Sequence, residues 1–92
     1  MKISEFQKKI ENIYFQRDSA RGTPGNFLWF SEEVGELARA LKRGDSRNLE
    51  EEFADCLAWL STLASTNGVN LDRAVRKYAN GCPRCHQTPC GC

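Results

Sequence analysis

Two pairs of acidic residues recur at a helical i, i+3 step: Glu33 with Glu36, and Glu52 with Asp55. Glu33 and Glu36 share the flank of an apolar stripe centred between Leu37 and Leu41, while Glu32 points to the opposite side. The same angular count puts Glu52 and Asp55 on the flank of the following helix and turns Glu50 and Glu51 elsewhere. If two neighbouring helices turn these rows toward each other, four carboxylates meet, and they must repel or take up protons unless a divalent cation neutralises them. All-oxygen ligation selects a hard ion. With nucleotide phosphates completing an octahedron, Mg²⁺ is the first choice and Mn²⁺ the second. The competing reading is an ordinary solvated face, since Glu is a good helix former. Against it, the charged residues of Ser31-Glu32-Glu33-Val34-Gly35-Glu36 are all acids, and the bases Arg39, Lys42 and Arg43 come later, which leaves negative charge uncompensated. Each acidic row is also prolonged by an indole, Trp29 one turn before Glu33 and Trp59 one turn after Asp55. A ring face there can stack on a nucleobase, or serve simply as core.

A second cluster is built on sulfur. Cys82, Cys85, Cys90 and Cys92 form a CxxC and a CxC with four residues between them, and His86 is a spare ligand. Such a set can close a tetrahedral thiolate site around Zn²⁺. Disordered free thiols, or a redox or partner-docking segment, are the other readings. In a reducing compartment stable disulfides are disfavoured. Cys56 stands apart inside a helical pattern and reads as a small core residue. His86 is the sole histidine, so a di-iron site with Glu-x-x-His on two helices cannot be assembled.

The elements that must position these groups are helical. Ile3, Phe6, Ile10, Ile13 and Arg17 mark a first helix ending near Asp18 to Gly22. Thr23-Pro24-Gly25-Asn26 supplies cap and first-turn residues for a second, whose stripe of Phe27, Phe30, Val34, Leu37 and Leu41 stops at Gly44. Asp45 or Ser46 caps a third carrying Leu49, Phe53, Cys56, Leu57, Leu60 and Ala64 as far as Asn67-Gly68. Asn70 caps a short fourth with Leu71, Ala74, Val75 and Tyr78, stopped by Asn80-Gly81. The very short turn between the second and third makes them an antiparallel hairpin. No β pattern competes, so the expected fold is an all-α four-helix bundle over residues 1–80, followed by a Cys-rich tail over 81–92.

At 92 residues and 10.4 kDa, the chain has material for one small domain, and four short helices cannot cover every apolar face. A homo-oligomer is expected. A net charge of +1 excludes a whole-chain field for nucleic acid or anionic membrane. No apolar run approaches the length of a membrane span, and the opening Met1-Lys2-Ile3-Ser4-Glu5 lacks a signal core, so the expected location is cytoplasmic.

The string Glu32-Glu33-Val34-Gly35-Glu36-Leu37, with Glu52-Phe53-Ala54-Asp55 further along, resembles the EExxE and ExxD pair of the MazG-like nucleotide pyrophosphohydrolases. Similarity extends upstream to Tyr14-Phe15-Gln16-Arg17-Asp18 and Arg21-Gly22, and downstream through Asn67-Gly68-Val69-Asn70-Leu71-Asp72 to Ala74-Val75. The resemblance implies an all-α bundle assembling as a homodimer or homotetramer. It also implies Mg²⁺-dependent hydrolysis of (deoxy)nucleoside triphosphates to monophosphate and pyrophosphate, in the service of nucleotide-pool house-cleaning. The implied catalytic metal ligands are Glu33, Glu36, Glu52 and Asp55, holding the triphosphate while a cation-activated water attacks the α-phosphorus. Arg17, Arg21 and Lys77 are candidates to steady phosphates, Trp29 and Trp59 to contact the base, and Asn80 to lie near the nucleotide. Here Gly81-Cys82-Pro83 follows at once in place of a longer helical end, which makes a simple C-cap the other reading of Asn80. The rival to the enzyme is a noncatalytic dimeric helical module whose zinc-binding tail contacts a partner or nucleic acid.

Overall fold

Gly22 divides the first half of the molecule. In the computed structural model, which describes residues 1–92, it adopts φ 83°, ψ 165°, a region essentially restricted to glycine. Helix α1, Ile3–Arg43, is therefore two arms meeting at a kink with no intervening loop. Pro24 falls in the first turn of the second arm, where its missing N–H leaves no helical bond unmade. These arms are the first and second expected helices. Gly44 ends α1 in the left-handed conformation at φ 71°, its N–H donating to the Ala40 carbonyl at 3.0 Å. Asp45 caps α2, Ser46–Thr66, by accepting from the N–H groups of Arg47 and Asn48 at 3.1 and 3.3 Å. With so short a connection the second arm and α2 run antiparallel, and at the open end of the hairpin the Thr23 hydroxyl reaches Asn67 Oδ1 at 3.4 Å.

The expected fourth helix is shorter than its stripe predicts. Asn70 caps it through the Arg73 N–H at 3.0 Å, but α3 spans only Leu71–Ala74 before tightening into a 3₁₀ turn, Val75–Tyr78. Val75 and Tyr78 are 44% and 61% exposed, so little packing sustains the segment, and short helices are marginal without it. The chain is all-helical and has no strand.

The interior is unusually polar. Ile10 and Ala40 are the buried apolar residues, alongside Gln7, Asp18, Asn26, Ser61 and Thr62. Gln7 ties down the turn after α2: its Nε2 donates to Ser65 Oγ and the Val69 carbonyl at 3.0 and 2.9 Å, and its Oε1 accepts from the Leu71 N–H at 2.9 Å. Asp18 organises the kink. Arg21 donates from Nη1 to Asp18 Oδ1 and to Asn26 Oδ1, each at 2.9 Å. Thr62 Oγ1 donates to Asp18 Oδ2 at 2.8 Å, and Asn26 Nδ2 closes the set on the Asp18 carbonyl at 2.9 Å. Three segments of chain are thus pinned by satisfied buried polar groups.

The apolar stripes, in contrast, are only partly used. Phe27, Val34 and Leu41 on the second arm and Phe53, Leu57 and Leu60 on α2 all remain substantially exposed. Cys56 is half-buried, not a sealed core residue. No helix is long and apolar enough to cross a membrane.

Candidate functional site

The antiparallel hairpin brings together Glu33 from the second arm of α1 and Glu52 and Asp55 from α2. Their carboxylate oxygens lie within 4.8 Å of one another, with Glu33 and Glu52 half-buried and Asp55 exposed. Glu52 Oε2 is fully screened from solvent and has no hydrogen-bond partner, a costly state for a carboxylate oxygen. The Glu33 carboxyl is raised above its ordinary 4.5, first by burial, then by the like charges of Asp55, Glu52 and Glu36. The neighbouring Cys56 thiol is raised as well, by burial and then by Glu33, Glu52 and Asp55. Hard oxygen donors, mutual repulsion and one orphaned buried oxygen together fit a hard divalent cation.

Glu36 does not join this group, because its carboxylate is paired with Arg39 one turn on. Its charge nonetheless reaches Glu33. Glu32 is exposed, on the side the helical count assigns to it.

A cavity of about 210 Å³ opens beside Asp55, with Tyr14, Arg17, Arg21, Trp59 and Thr62 among its walls and Ala58 leaving room between them. Trp59 stacks on Trp29 with ring centroids 6.3 Å apart and planes 11° from parallel, so the two indoles that prolong the acidic rows meet each other. The Arg21 guanidinium lies 5.3 Å from the Trp59 ring while also bridging Asp18 and Asn26. It is therefore part of the framework as well as of the cavity wall. Arg17 is exposed at the cavity. Lys77 and Asn80 do not line it; Lys77 Nζ sits over its neighbour Tyr78 at 5.1 Å from the ring centroid. Tyr14, Asp18 and Thr62 join the site without having been expected there. The one sequence signal for Asp18 is an acid one turn before Arg21 at a helix break.

The four tail sulfurs gather separately, all within 4.8 Å of one another, and the group does not include His86. Backbone N–H groups of Gly91 and Gln87 hold the Cys85 thiol down to about 6. Those of Cys85 and Arg84 lower the Cys82 thiol in the same way.

Residues 24–88 match the family model for the MazG nucleotide pyrophosphohydrolase domain, a stretch that contains Glu33, Glu36, Glu52 and Asp55 and covers more than half of the chain. No curated protein matches it.

Proposed function

The chain belongs to the MazG nucleotide pyrophosphohydrolase domain family, and on that premise we propose that it cleaves (deoxy)nucleoside triphosphates between the α- and β-phosphates, giving monophosphate and pyrophosphate. Glu33, Glu52 and Asp55 hold Mg²⁺, with Mn²⁺ as substitute, and Glu36 joins them on release from Arg39. The observation that carries this reading is the convergence of three carboxylates around a buried Glu52 oxygen that nothing in the chain satisfies. A bound cation there supplies a water of lowered pKa and neutralises phosphate charge. Arg17, and Arg21 where its bonds to Asp18 and Asn26 leave donors free, orient the polyphosphate from the cavity wall. Trp59, backed by Trp29, offers an aromatic face to the base. Lys77 and Asn80, away from the cavity of their own chain, enter the reading as a neighbouring copy's contribution.

Homodimeric or tetrameric assembly belongs to the same proposal. Phe27, Val34, Leu41, Phe53, Leu57 and Leu60 are all substantially exposed along the two helices of the hairpin, and a second copy of the chain would cover them. We place the protein in the cytoplasm, clearing noncanonical or surplus nucleotides. A noncatalytic binding module has no use for an orphaned carboxylate oxygen buried among like charges, which favours the enzyme.

Product analysis with Mg²⁺ across common and modified triphosphates tests the proposal. Pyrophosphate with monophosphate is the expected outcome, lost in D55N that remains helical. Release of a single phosphate, or full turnover by folded D55N, would overturn it.

A further inference from the structure

The tail beyond Asn80 is too short and too poor in apolar side chains to fold by burial, yet it has a defined shape. Cys82 donates its N–H to the Gln87 carbonyl at 3.0 Å, and His86 donates its own back to the Cys82 carbonyl at 2.7 Å. His86 adopts the left-handed conformation at φ 59°, which turns the chain sharply after Cys85. Gly81, at φ 94°, packs so closely on the Gln87 carbonyl that an added Cβ would lie 2.9 Å from it. Something other than a hydrophobic core must account for this order.

The sulfur positions identify what that is. Cys90 Sγ lies 3.6 Å from Cys82 Sγ and 4.0 Å from Cys85 Sγ, and Cys82 Sγ lies 3.9 Å from Cys92 Sγ. A disulfide brings two sulfurs to about 2 Å and pairs them off. Here each of Cys82 and Cys90 has two sulfur neighbours, so the four form one cluster, not two pairs. Four thiolates on a tetrahedral ion with Zn–S bonds near 2.3 Å would stand about 3.8 Å apart along every edge. The three separations above bracket that value, and all six edges are within 4.8 Å. The Gly91 N–H donates to Cys85 Sγ at 3.3 Å and the Cys92 N–H to Cys90 Sγ at 3.4 Å, the outer contacts that orient and stabilise metal-bound thiolates.

We propose that Cys82, Cys85, Cys90 and Cys92 form a closed tetrathiolate site for a single Zn²⁺, which folds the tail as a unit of its own. His86 is not a ligand; its backbone makes the turn that places Cys85. All four positions are filled by sulfur, so the ion has no open place for water or substrate and its role is structural. The site is independent of the carboxylate cluster in location and in ligand type, soft sulfur against hard oxygen.

The test is metal analysis and native mass spectrometry of the full chain, purified under reducing conditions and dialysed against excess Mg²⁺ to clear zinc from the carboxylates. The expected result is a single zinc per chain that C85S and the C90S/C92S double variant lose, while C56S and H86N, which keeps the left-handed turn, retain it. Circular dichroism of each variant reports whether the helical body is intact. Replacement by Co²⁺ should give the intense visible bands of a tetrahedral ion with sulfur charge transfer, absent from the double variant. Iron in place of zinc, disulfides seen as mass loss in the freshly reduced chain, zinc retained by C90S/C92S, or zinc lost from H86N would each overturn the proposal. None of these readouts uses nucleotide hydrolysis, so failure here leaves the pyrophosphohydrolase reading untouched, and the reverse holds.

Discussion

Glu52→Gln should change the sign of its effect on stability when Mg²⁺ is added. The substitution keeps the shape of the side chain and removes one charge from a group whose oxygens lie within 4.8 Å of one another. At that separation two unit charges repel by about 0.9 kcal/mol in water and about 3.5 kcal/mol at an effective dielectric near 20. Glu33 and Glu52 are half-buried and Asp55 is exposed, so screening favours the lower part of that span, roughly 1 kcal/mol. The amide introduced by E52Q would in addition be free to donate to Glu33. In EDTA, therefore, E52Q should be more stable than the natural chain by about 1 kcal/mol, a rise of roughly 4–8 °C in Tm for a domain of this size. With Mg²⁺ at about 100 times its dissociation constant the natural chain gains about 2.7 kcal/mol, and E52Q, short of a ligand, gains far less. The order of the two should reverse. Thermal and urea unfolding in both buffers, at one protein concentration so that any oligomer contributes equally, reads this directly. E52Q being less stable than the natural chain in EDTA, or both responding equally to Mg²⁺, would refute the metal cluster.

The metal-free protein should lose stability as pH rises from 4.5 through the raised Glu33 value, because the folded state holds the Glu33 proton after the unfolded chain has released it; saturating Mg²⁺ should flatten this slope in pH-dependent urea melts. Asn26→Ala removes the side chain that accepts from Arg21 and donates to the Asp18 carbonyl in a fully buried setting, and should cost about 2–3 kcal/mol in urea denaturation. Leu57→Glu, on the exposed face of α2, should shift the protein to monomer in analytical ultracentrifugation while far-UV circular dichroism stays helical; an unchanged sedimentation coefficient would remove this face from the assembly.

Helical periodicity makes the carboxylate cluster legible because two conditions meet. Glu33, Glu52 and Asp55 lie on stripe flanks, and Gly44-Asp45 leaves no room for anything but an antiparallel return. The same count cannot separate Glu36 from Glu33, since it ignores the competing pair with Arg39 at i+3 on the same helix. The interior escapes it for a related reason. Periodicity assigns the core to the apolar stripes and leaves Gln7, Asp18 and Asn26 as surface or cap residues. Gln7 and Asp18 owe their role to partners 62 and 44 residues away, Val69 and Thr62, and no local pattern encodes that. Phe27, Val34 and Leu41 obey the helical period faithfully, but they face away from this chain. Periodicity reports that a face is apolar, not which molecule covers it. The fourth helix falls short on the same logic, its stripe being present without neighbours to bury it.

One face of α2 links the chemistry to the kink. Asp55, Trp59 and Thr62 follow each other at steps of four and three, so a single helical stripe carries a carboxylate of the acidic cluster, an aromatic wall and the hydroxyl that anchors Asp18. The Thr62 bond fixes where the first arm of α1 crosses that stripe, and hence where Tyr14 and Arg17 stand relative to Asp55. Asn26 and Arg21 then brace the second arm, which carries Glu33, against the same aspartate. The Gly22 backbone conformation is what allows both arms to converge on Asp18 without a loop. A buried polar node at this point does what an apolar contact cannot. Its hydrogen bonds fix direction as well as distance, so the spacing between cavity and carboxylates is set by the network at the kink, while burial of the outer apolar face is left to assembly.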